Sequence, residues 1–453
     1  MVQSHFYHVI KTSILSYIWK CNRFQIKRPL SHDFPQSGVT HLAVLNPVTF
    51  TYLAAIKNKN RANLNSAASL FSIGSELTMA WEFMIFLGVL ALLGILWGLK
   101  WRRKSKPKVV AYKVIKQIAK GQVNRKRVCA VVGGTGFVGS EVVNELIHRK
   151  EYTVYVLGRT FRPERTNPEA DCLIQVDLED FEGMVKAFQG VDSVINAAAF
   201  VPTAFSTPEE VHRINMNGFE NLLKAVKKAN VKNVVHVSGI QYEFGTATSP
   251  LLKAFTSVFY SFEETVLKAN NQDGLRTCAV SPSNMVGLTS GLFKDVISGH
   301  VTQMPLPDKL PMSFMPVEYA MRAIVNVEAK LAAGDERVAG KALILCGEQM
   351  SWKTLFQLPT WPNKISNIPK WVLILIVKVN VFLAKTFGWA PFGSELSDAM
   401  IDFLDAVEAK YDLNEVQEMY DLLGVGPPFP PMQEYIAEIV KQYKTNQEKQ
   451  KDK

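Results

Sequence analysis

Cysteine is scarce, with five in 453 residues at Cys21, Cys129, Cys172, Cys278 and Cys346. The number is odd and the spacing wide, which argues against a disulfide framework and offers no closely spaced pair to hold zinc. Reduced thiols and no metal site are the expectation. Acid is scarcer still at the start: in residues 1–78 only Asp33 and Glu76 stand against eight Lys/Arg, with nine serines and no sustained periodicity. Such a stretch resembles a transit peptide or an upstream leader without chemistry of its own, and Met79 is the expected start of the mature chain. A broad basic face is also missing. The net charge is +10, but the cations gather at 101–108, at 224–232 and in the tail. That distribution suits a membrane surface and not nucleic acid.

With 47% hydrophobic and 20% charged residues the chain is globular, not disordered. At 453 residues it exceeds one ordinary domain. Residues Phe83–Leu99 contain no charge over seventeen positions and are bracketed by Trp81 and Trp101. This is long enough for a transmembrane helix across a thin bilayer, with tryptophans at both interfaces. WRRKSKPK follows at 101–108, so the positive-inside bias puts everything beyond it in the cytosol. The anchor is therefore set at 79–101 and a basic linker at 102–125.

Val128–Ser140 reads VCAVVGGTGFVGS. Cys129–Val132 suits a strand buried on both faces. Gly133, Gly136 and Gly139 follow, and then Val142, Val143, Leu146 and Ile147 recur with helical spacing. Strand, glycine turn and helix in that order aim unpaired N–H groups and the positive end of a helix dipole at a phosphate. This is the dinucleotide-binding pattern. Beyond it strands at 153–158, 173–178, 193–199, 233–239 and 276–282 alternate with helices at 181–189, 208–229 and 251–270. Thr207 before Pro208 makes a good N-cap. The alternation predicts an α/β fold with a doubly wound parallel sheet, a Rossmann domain at 126–290, whose ligand lies at the carboxyl ends of the strands.

GGTGFVG, Asp177 in VDLED, NAAA at 196–199 and RINMNGFENLLKA at 213–225 occur in order. Together they resemble the extended short-chain dehydrogenase/reductase superfamily. SPSNMVG at 281–287, MPVEYAMRAI at 315–324 and AGKALILCGEQMSW at 339–352 are similar to its 3β-hydroxysteroid dehydrogenase/isomerase branch, which includes sterol C-4 decarboxylating enzymes. The likeness covers roughly residues 126 to 435. It implies a cofactor site of Gly133, Thr135, Gly136, Phe137, Val138, Gly139, Arg159, Asp177, Leu178, Ala197, Ala198, Ala199 and Pro282. In such a site Asp177 contacts the adenine, the alanines lie under the cofactor, and Asn215 supports the active-site helix. Gly158 stands where an NAD-binding acid would be, with Arg159 beside it and Arg162 and Arg165 close behind. A 2′-phosphate would meet cations and no carboxylate, which favours NADP(H) over NAD(H).

The resemblance is weakest at its catalytic residues. The family uses a Tyr and a Lys four residues apart on one helix face, with a Ser or Thr on the preceding strand. The helix here reads LLKAFTSVFYSFEETVLKAN, and one register puts Phe255 and Phe259 at the Tyr and Lys positions. A shifted register gives Tyr260 with Glu264, a carboxylate in place of the cation. Ser238 or its neighbour Gly239 takes the Ser position. Ser238, Tyr260 and Asn215 are thus the catalytic candidates, with Tyr242 as a further one on a loop.

The last informative stretch is IPKWVLILIVKVNVFLAKTFGWAPF at 368–392, apolar but interrupted by Lys378, Asn380 and Lys385. Those polar groups favour an interfacial, membrane-associating segment over a full span. It belongs to a smaller carboxyl-terminal substrate lobe at 291–439, followed by a charged tail at 440–453. The resemblance implies NAD(P)-dependent oxidation or reduction of a lipid-soluble, sterol-like alcohol or ketone at a cytosol-facing membrane, the endoplasmic reticulum. The alternative is a cofactor-binding redox sensor or scaffold that has lost its catalytic pair.

Overall fold

Each strand of the central sheet presents alternate residues to two different cores, as the strand period of two requires. In β2 (Arg127–Val132), Cys129 and Val131 join one hydrophobic cluster while Ala130 and Val132 join another. The computed structural model describes residues 110–117, 126–239, 242–243, 249–288, 291–308, 312–403, 407–408, 413–425 and 430–451. The leader at 1–78 and the anchor at 79–101 lie outside the described residues.

In chain order the main elements are β1 (Lys113–Gln117), β2, α1 (Phe137–Arg149), β3 (Tyr152–Gly158), β4 (Cys172–Gln175), α2 (Phe181–Ala187), β5 (Ser193–Asn196) and α3 (Pro208–Lys228). There follow β6 (Asn233–Val237), α4 (Pro250–Lys268), β7 (Arg276–Pro282), α5 (Val317–Ala332), β8 (Ala342–Leu345), α6 (Lys370–Phe387) and α7 (Met432–Lys451). Among the described residues the sheet has eight strands in the order β1-β4-β3-β2-β5-β6-β7-β8. All neighbours run parallel except β1 against β4. The order reverses between β2 and β5, and the carboxyl ends of these two strands flank the crevice where such sheets bind ligands.

Helices α1 and α5 cover one face with Val142, Leu146, Met321 and Ile324. Helices α2 and α3 cover the other with Met184, Leu222, Ala225 and Val226. Phe219 and Leu223 of α3 then pack on Val258, Phe262 and Val266 of α4. Local chemistry fixes the helix starts. Thr207 caps α3 by accepting from the Glu210 N–H at 3.2 Å, with Pro208 in the first turn. Ser249 caps α4 in the same way.

The structure differs from the sequence expectation in four places. Part of the stretch read as a linker is the edge strand β1, held by Lys116, whose Nζ donates to the carbonyls of Pro168 and Ala170. Strands β4 and β5 end at Gln175 and Asn196, so Asp177 and Ala197–Ala199 leave the sheet. The charged tail continues α7 as far as Lys451. Finally, α5 and β8 return from the carboxyl-terminal half to the main sheet.

The rest of that half forms its own cluster, including Phe293, Phe314, Phe356, Trp361 and Ile436. It surrounds a small sheet in which Met312–Pro316 pairs with Asn284–Val286 and Glu348–Met350. Tyr435 of α7 donates its hydroxyl to Glu318 Oε2 at 2.6 Å. Burial raises the Glu318 carboxyl above its usual range, with Tyr435 opposing the shift.

Helix α6 buries one face, with Leu373, Val377, Val381 and Ala384 packed on Ala204 and Ile401. Its other face exposes Trp371 at 66% and Phe382 at 58%. Two of the three polar interruptions have partners within the protein. Asn380 is fully buried, donates to the carbonyls of Gly393 and Leu396 and accepts from Phe392 N–H. Lys378 pairs with Asp398 at 3.1 Å. Among the described residues, no helix is long and apolar enough to cross a membrane.

Candidate active site

The turn after β2 is shaped by what glycine permits. Gly133 has φ +75°, and a Cβ there would lie 2.7 Å from the Ala198 Cα. A Cβ on Gly139 would fall 2.2 Å from the Gly133 carbonyl oxygen, so only glycine lets α1 start this close to the turn. Gly136 caps α1 without a side-chain hydrogen bond, and the first turn of the helix carries no acid. The N–H groups of that turn and the positive helix end are left for an anion. Phe137 and Val138 are therefore placed to contribute backbone, while their side chains pack into the core.

A cavity of about 200 Å³ opens here, at the carboxyl ends of β2, β3 and β5. Gly133, Thr135, Gly136, Arg159, Asp177, Leu178, Ala197, Ala198 and Ala199 all line it. All nine are among the cofactor-site residues that the sequence resemblance implies. Gly139 lies beneath the turn, and Pro282 is buried at the end of β7 paired with Leu345, so neither forms the wall. Phe200, Ile214 and Met184 do, although the sequence did not single them out. The one signal for Ile214 and Phe200 was their position beside Asn215 and the alanine run.

Gly158 also lines the cavity, and a Cβ on it would approach Thr135 Oγ1 to 2.8 Å. A side chain at 158 would therefore require Thr135 to shift. Gln175 Nε2 donates to the Arg159 carbonyl at 2.8 Å and fixes the backbone that carries the guanidinium. Asp177 is buried and accepts from the Glu179 N–H through Oδ1, which tightens the turn below Leu178. These features fit a dinucleotide: a donor-rich helix end, a close-packed glycine floor, a cation and an apolar slot.

Ser238, Tyr260 and Asn215 do not line this cavity. Asn215 is fully buried and reaches it indirectly through Phe200, accepting from its N–H and donating to its carbonyl. Ser238 follows β6 with its hydroxyl buried and without a hydrogen-bond partner among the described residues. Tyr260 is half-buried on the flank of α4 that also carries Glu264 and Lys268, which pair at 2.6 Å. That flank is turned roughly 160° from buried Phe262, at about 100° per residue. Phe255 and Phe259 lie nearer the buried side, with ring centroids 4.7 Å apart at 71°. Of Tyr242 only the backbone is described, within a short strand.

One residue the sequence did not flag is His236, fully buried in β6. Its Nδ1 faces Asn196 Nδ2 at 3.2 Å, and the Phe219 and Phe262 rings box it in at 5.6 and 4.5 Å. Burial pushes the imidazole down to about 3, with a hydrogen bond at Asn196 opposing in part. Cys129, Cys172 and Cys278 are likewise buried, and burial raises each thiol above its ordinary value. Among the described residues, no cluster of His, Cys, Asp or Glu could hold a metal.

Residues 129–305 match the NAD dependent epimerase/dehydratase family. The chain is 31% identical over 193 residues to the 3 beta-hydroxysteroid dehydrogenase/Delta 5-->4-isomerase of Mycobacterium tuberculosis, covering 38% of this chain and 52% of the relative. It is 24% identical over 356 residues to a 3beta-hydroxysteroid-dehydrogenase/decarboxylase of Arabidopsis thaliana, covering 70% and 62%. It is 25% identical over 282 residues to the human sterol-4-alpha-carboxylate 3-dehydrogenase, decarboxylating, covering 57% and 74%. The chain spans about half the length of the first of these relatives. Among solved structures, the UDP-N-acetylglucosamine 4-epimerase of Methanobrevibacter ruminantium superposes with a TM-score of 0.51 at 17% identity, covering 72% of this chain and 100% of that one. At that identity the likeness is one of fold.

Proposed function

We propose that this protein, whose residues 129–305 match the NAD dependent epimerase/dehydratase family, is a membrane-bound, NADP(H)-dependent oxidoreductase acting on a sterol-like CH–OH group or the corresponding ketone. The observation that carries the reading is the convergence of nine expected cofactor residues on one cavity at the sheet's topological switch point. The preference for NADP(H) is supported by Gly158 and Arg159, which put a cation and no carboxylate at the end of β3. The substrate class is supported by the names of the relatives. The uncharged run at 83–99 and the outward Trp371 and Phe382 of α6 support a membrane location. The basic stretch after that run supports a cytosolic domain, at the endoplasmic reticulum by analogy with sterol metabolism.

A nicotinamide dinucleotide, when bound, supplies the hydride chemistry. The N–H groups at the start of α1 would hold its diphosphate, Arg159 a 2′-phosphate and Asp177 the adenine end. Ala197–Ala199 would form the wall on which it lies. Asn215 keeps that wall in place through Phe200. Ser238 would orient the substrate oxygen, whereas Tyr260, on the flank of α4 turned away from the buried side with Glu264 and Lys268, is not placed to move a proton to it. A second reading, a cofactor-binding sensor or scaffold, is favoured by the Phe255–Phe259 pair, because phenyl rings transfer no proton.

Turnover separates the two. The full chain in lipid nanodiscs is assayed with NADP(H) or NAD(H) against a panel of 3β-hydroxysterols and 3-ketosteroids. Slow turnover that prefers NADP(H) and persists in Tyr260→Phe is the expected result. Tight NADPH binding with no turnover on any member of the panel would leave the sensor reading in its place.

A further inference from the structure

Strand alternation assigns the hydroxyls at the top of the sheet to one face. In β7, Thr277 Oγ1 donates to the Val266 carbonyl of α4 and Ser281 Oγ donates to Glu263 Oε2 at 3.2 Å. Residues 277, 279 and 281 therefore look toward α4. The β7–β8 ladder continues past the strand's end, with Ala279 N–H donating to Lys341 and Ser283 N–H to Leu345. Ser283 thus stays in phase with Ser281 and lies on the α4 side. In β6, His236 packs on Phe262 of α4, and Ser238 is two residues further along the same face. The strands are neighbours, with Val237 opposite Val280 and Ser238 N–H bonded to the Val280 carbonyl.

Ser238 and Ser283 are 8% and 4% exposed, and neither hydroxyl has a hydrogen-bond partner among the described residues. A buried hydroxyl without a partner costs about 1–3 kcal/mol. Two of them on one face of adjacent strands, at the end where this fold binds ligands, call for a common partner. From Ser281 to Ser283 the strand climbs about 6.6 Å. One turn of α4 from Glu263 toward its start climbs about 5.4 Å and reaches Phe259. Phe259 thus stands on α4 at about the height of Ser283, and Phe255 lies one turn beyond it.

We propose that Ser283 joins Ser238 in a two-hydroxyl clamp that holds one uncharged oxygen of an otherwise apolar ligand beneath Phe255 and Phe259. Neutral hydroxyls suit a carbonyl or alcohol and discriminate against a ligand that lacks the oxygen, while the phenyl rings accept the hydrocarbon around it. The ligand class rests on the sterol-like reading above; the role of Ser283 rests on the buried hydroxyls.

The test uses the full chain in nanodiscs with saturating NADPH, and cholestanone and its parent hydrocarbon cholestane as probes. The parent protein is expected to prefer cholestanone, Ser283→Ala to reduce that preference by about 5–10-fold, the worth of one hydrogen bond, and Ser283→Thr to keep it. Without probe, Ser283→Ala is expected to melt at the same temperature as the parent or higher, because an unpartnered hydroxyl stabilises nothing. An unchanged preference in Ser283→Ala, or a lower melting temperature without probe, would overturn the clamp. Intact NADPH binding with neither probe bound by the parent would overturn the sterol-like reading, and the clamp for this ligand class with it.

Discussion

Asn215 grips both backbone groups of Phe200, accepting from its N–H at 2.7 Å and donating to its carbonyl at 3.1 Å. This joins the middle of α3 to the segment that leaves β5 and walls the cavity. Asn215→Ala leaves both peptide groups without their partner and is expected to lower stability by about 1–3 kcal/mol. NADPH binding should weaken at the same time. Denaturant melts and cofactor titration check both effects, and Asn215→Asp should recover part of the loss through the Phe200 N–H alone.

Arg159→Ala should weaken NADPH by about 1.5–3 kcal/mol, the worth of a charge-assisted hydrogen bond, and leave NADH nearly unchanged. Calorimetric titration of the parent and the variant with each cofactor gives the comparison. Equal losses for the two cofactors would remove Arg159 from the selectivity argument.

His236 makes stability depend on pH. Its folded-state value of about 3 lies below the ordinary value of 6.5. Protonation therefore favours the unfolded chain, and the contribution of His236 is fully present above about pH 6.5 and is lost as the pH falls toward 3. Unfolding free energies measured across this window should fall more steeply with acid in the parent than in His236→Leu. Identical slopes would show that the imidazole is not held neutral.

Trp371 and Phe382 are more than half exposed on α6, and Val201 at 61% and Phe205 at 43% flank Ala204, which packs on that helix. Large exposed apolar side chains gathered on one face are expected to meet lipid. In nanodiscs with brominated acyl chains, Trp371→Phe should remove a measurable part of the quenched tryptophan emission. No difference between parent and variant would mean that this face does not contact acyl chains.

How far the sequence could be read follows from where its constraints are local. Cys129–Val132 with Gly133, Gly136 and Gly139 specify strand, turn and helix within a dozen residues, and the cavity formed where that pattern put it. Asp177 and Ala197–Ala199 were read as strand because they continue apolar runs, but each runs past its neighbour's register and turns out to the site. The edge strand Lys113–Gln117 was invisible because its lysines belong to a half-paired, solvent-facing edge. Asn380 and Lys378 looked like polar breaks in a lipid-facing helix, yet their partners are 12 to 20 residues away in the chain. His236 and Ser283 fall within the predicted strand at 233–239 and the SPSNMVG motif, but only the packing of α4 on β6 and β7 defines their surroundings.

The central claim is that the cavity beside Gly133 holds the cofactor. Hydrogen exchange of the full chain with and without NADPH addresses it directly. The account predicts slowed exchange at 133–140, 158–160 and 196–200, the segments that form the glycine turn, the Arg159 rim and the alanine wall. Tight NADPH binding with no protection in these segments, or protection confined to another part of the chain, would contradict it.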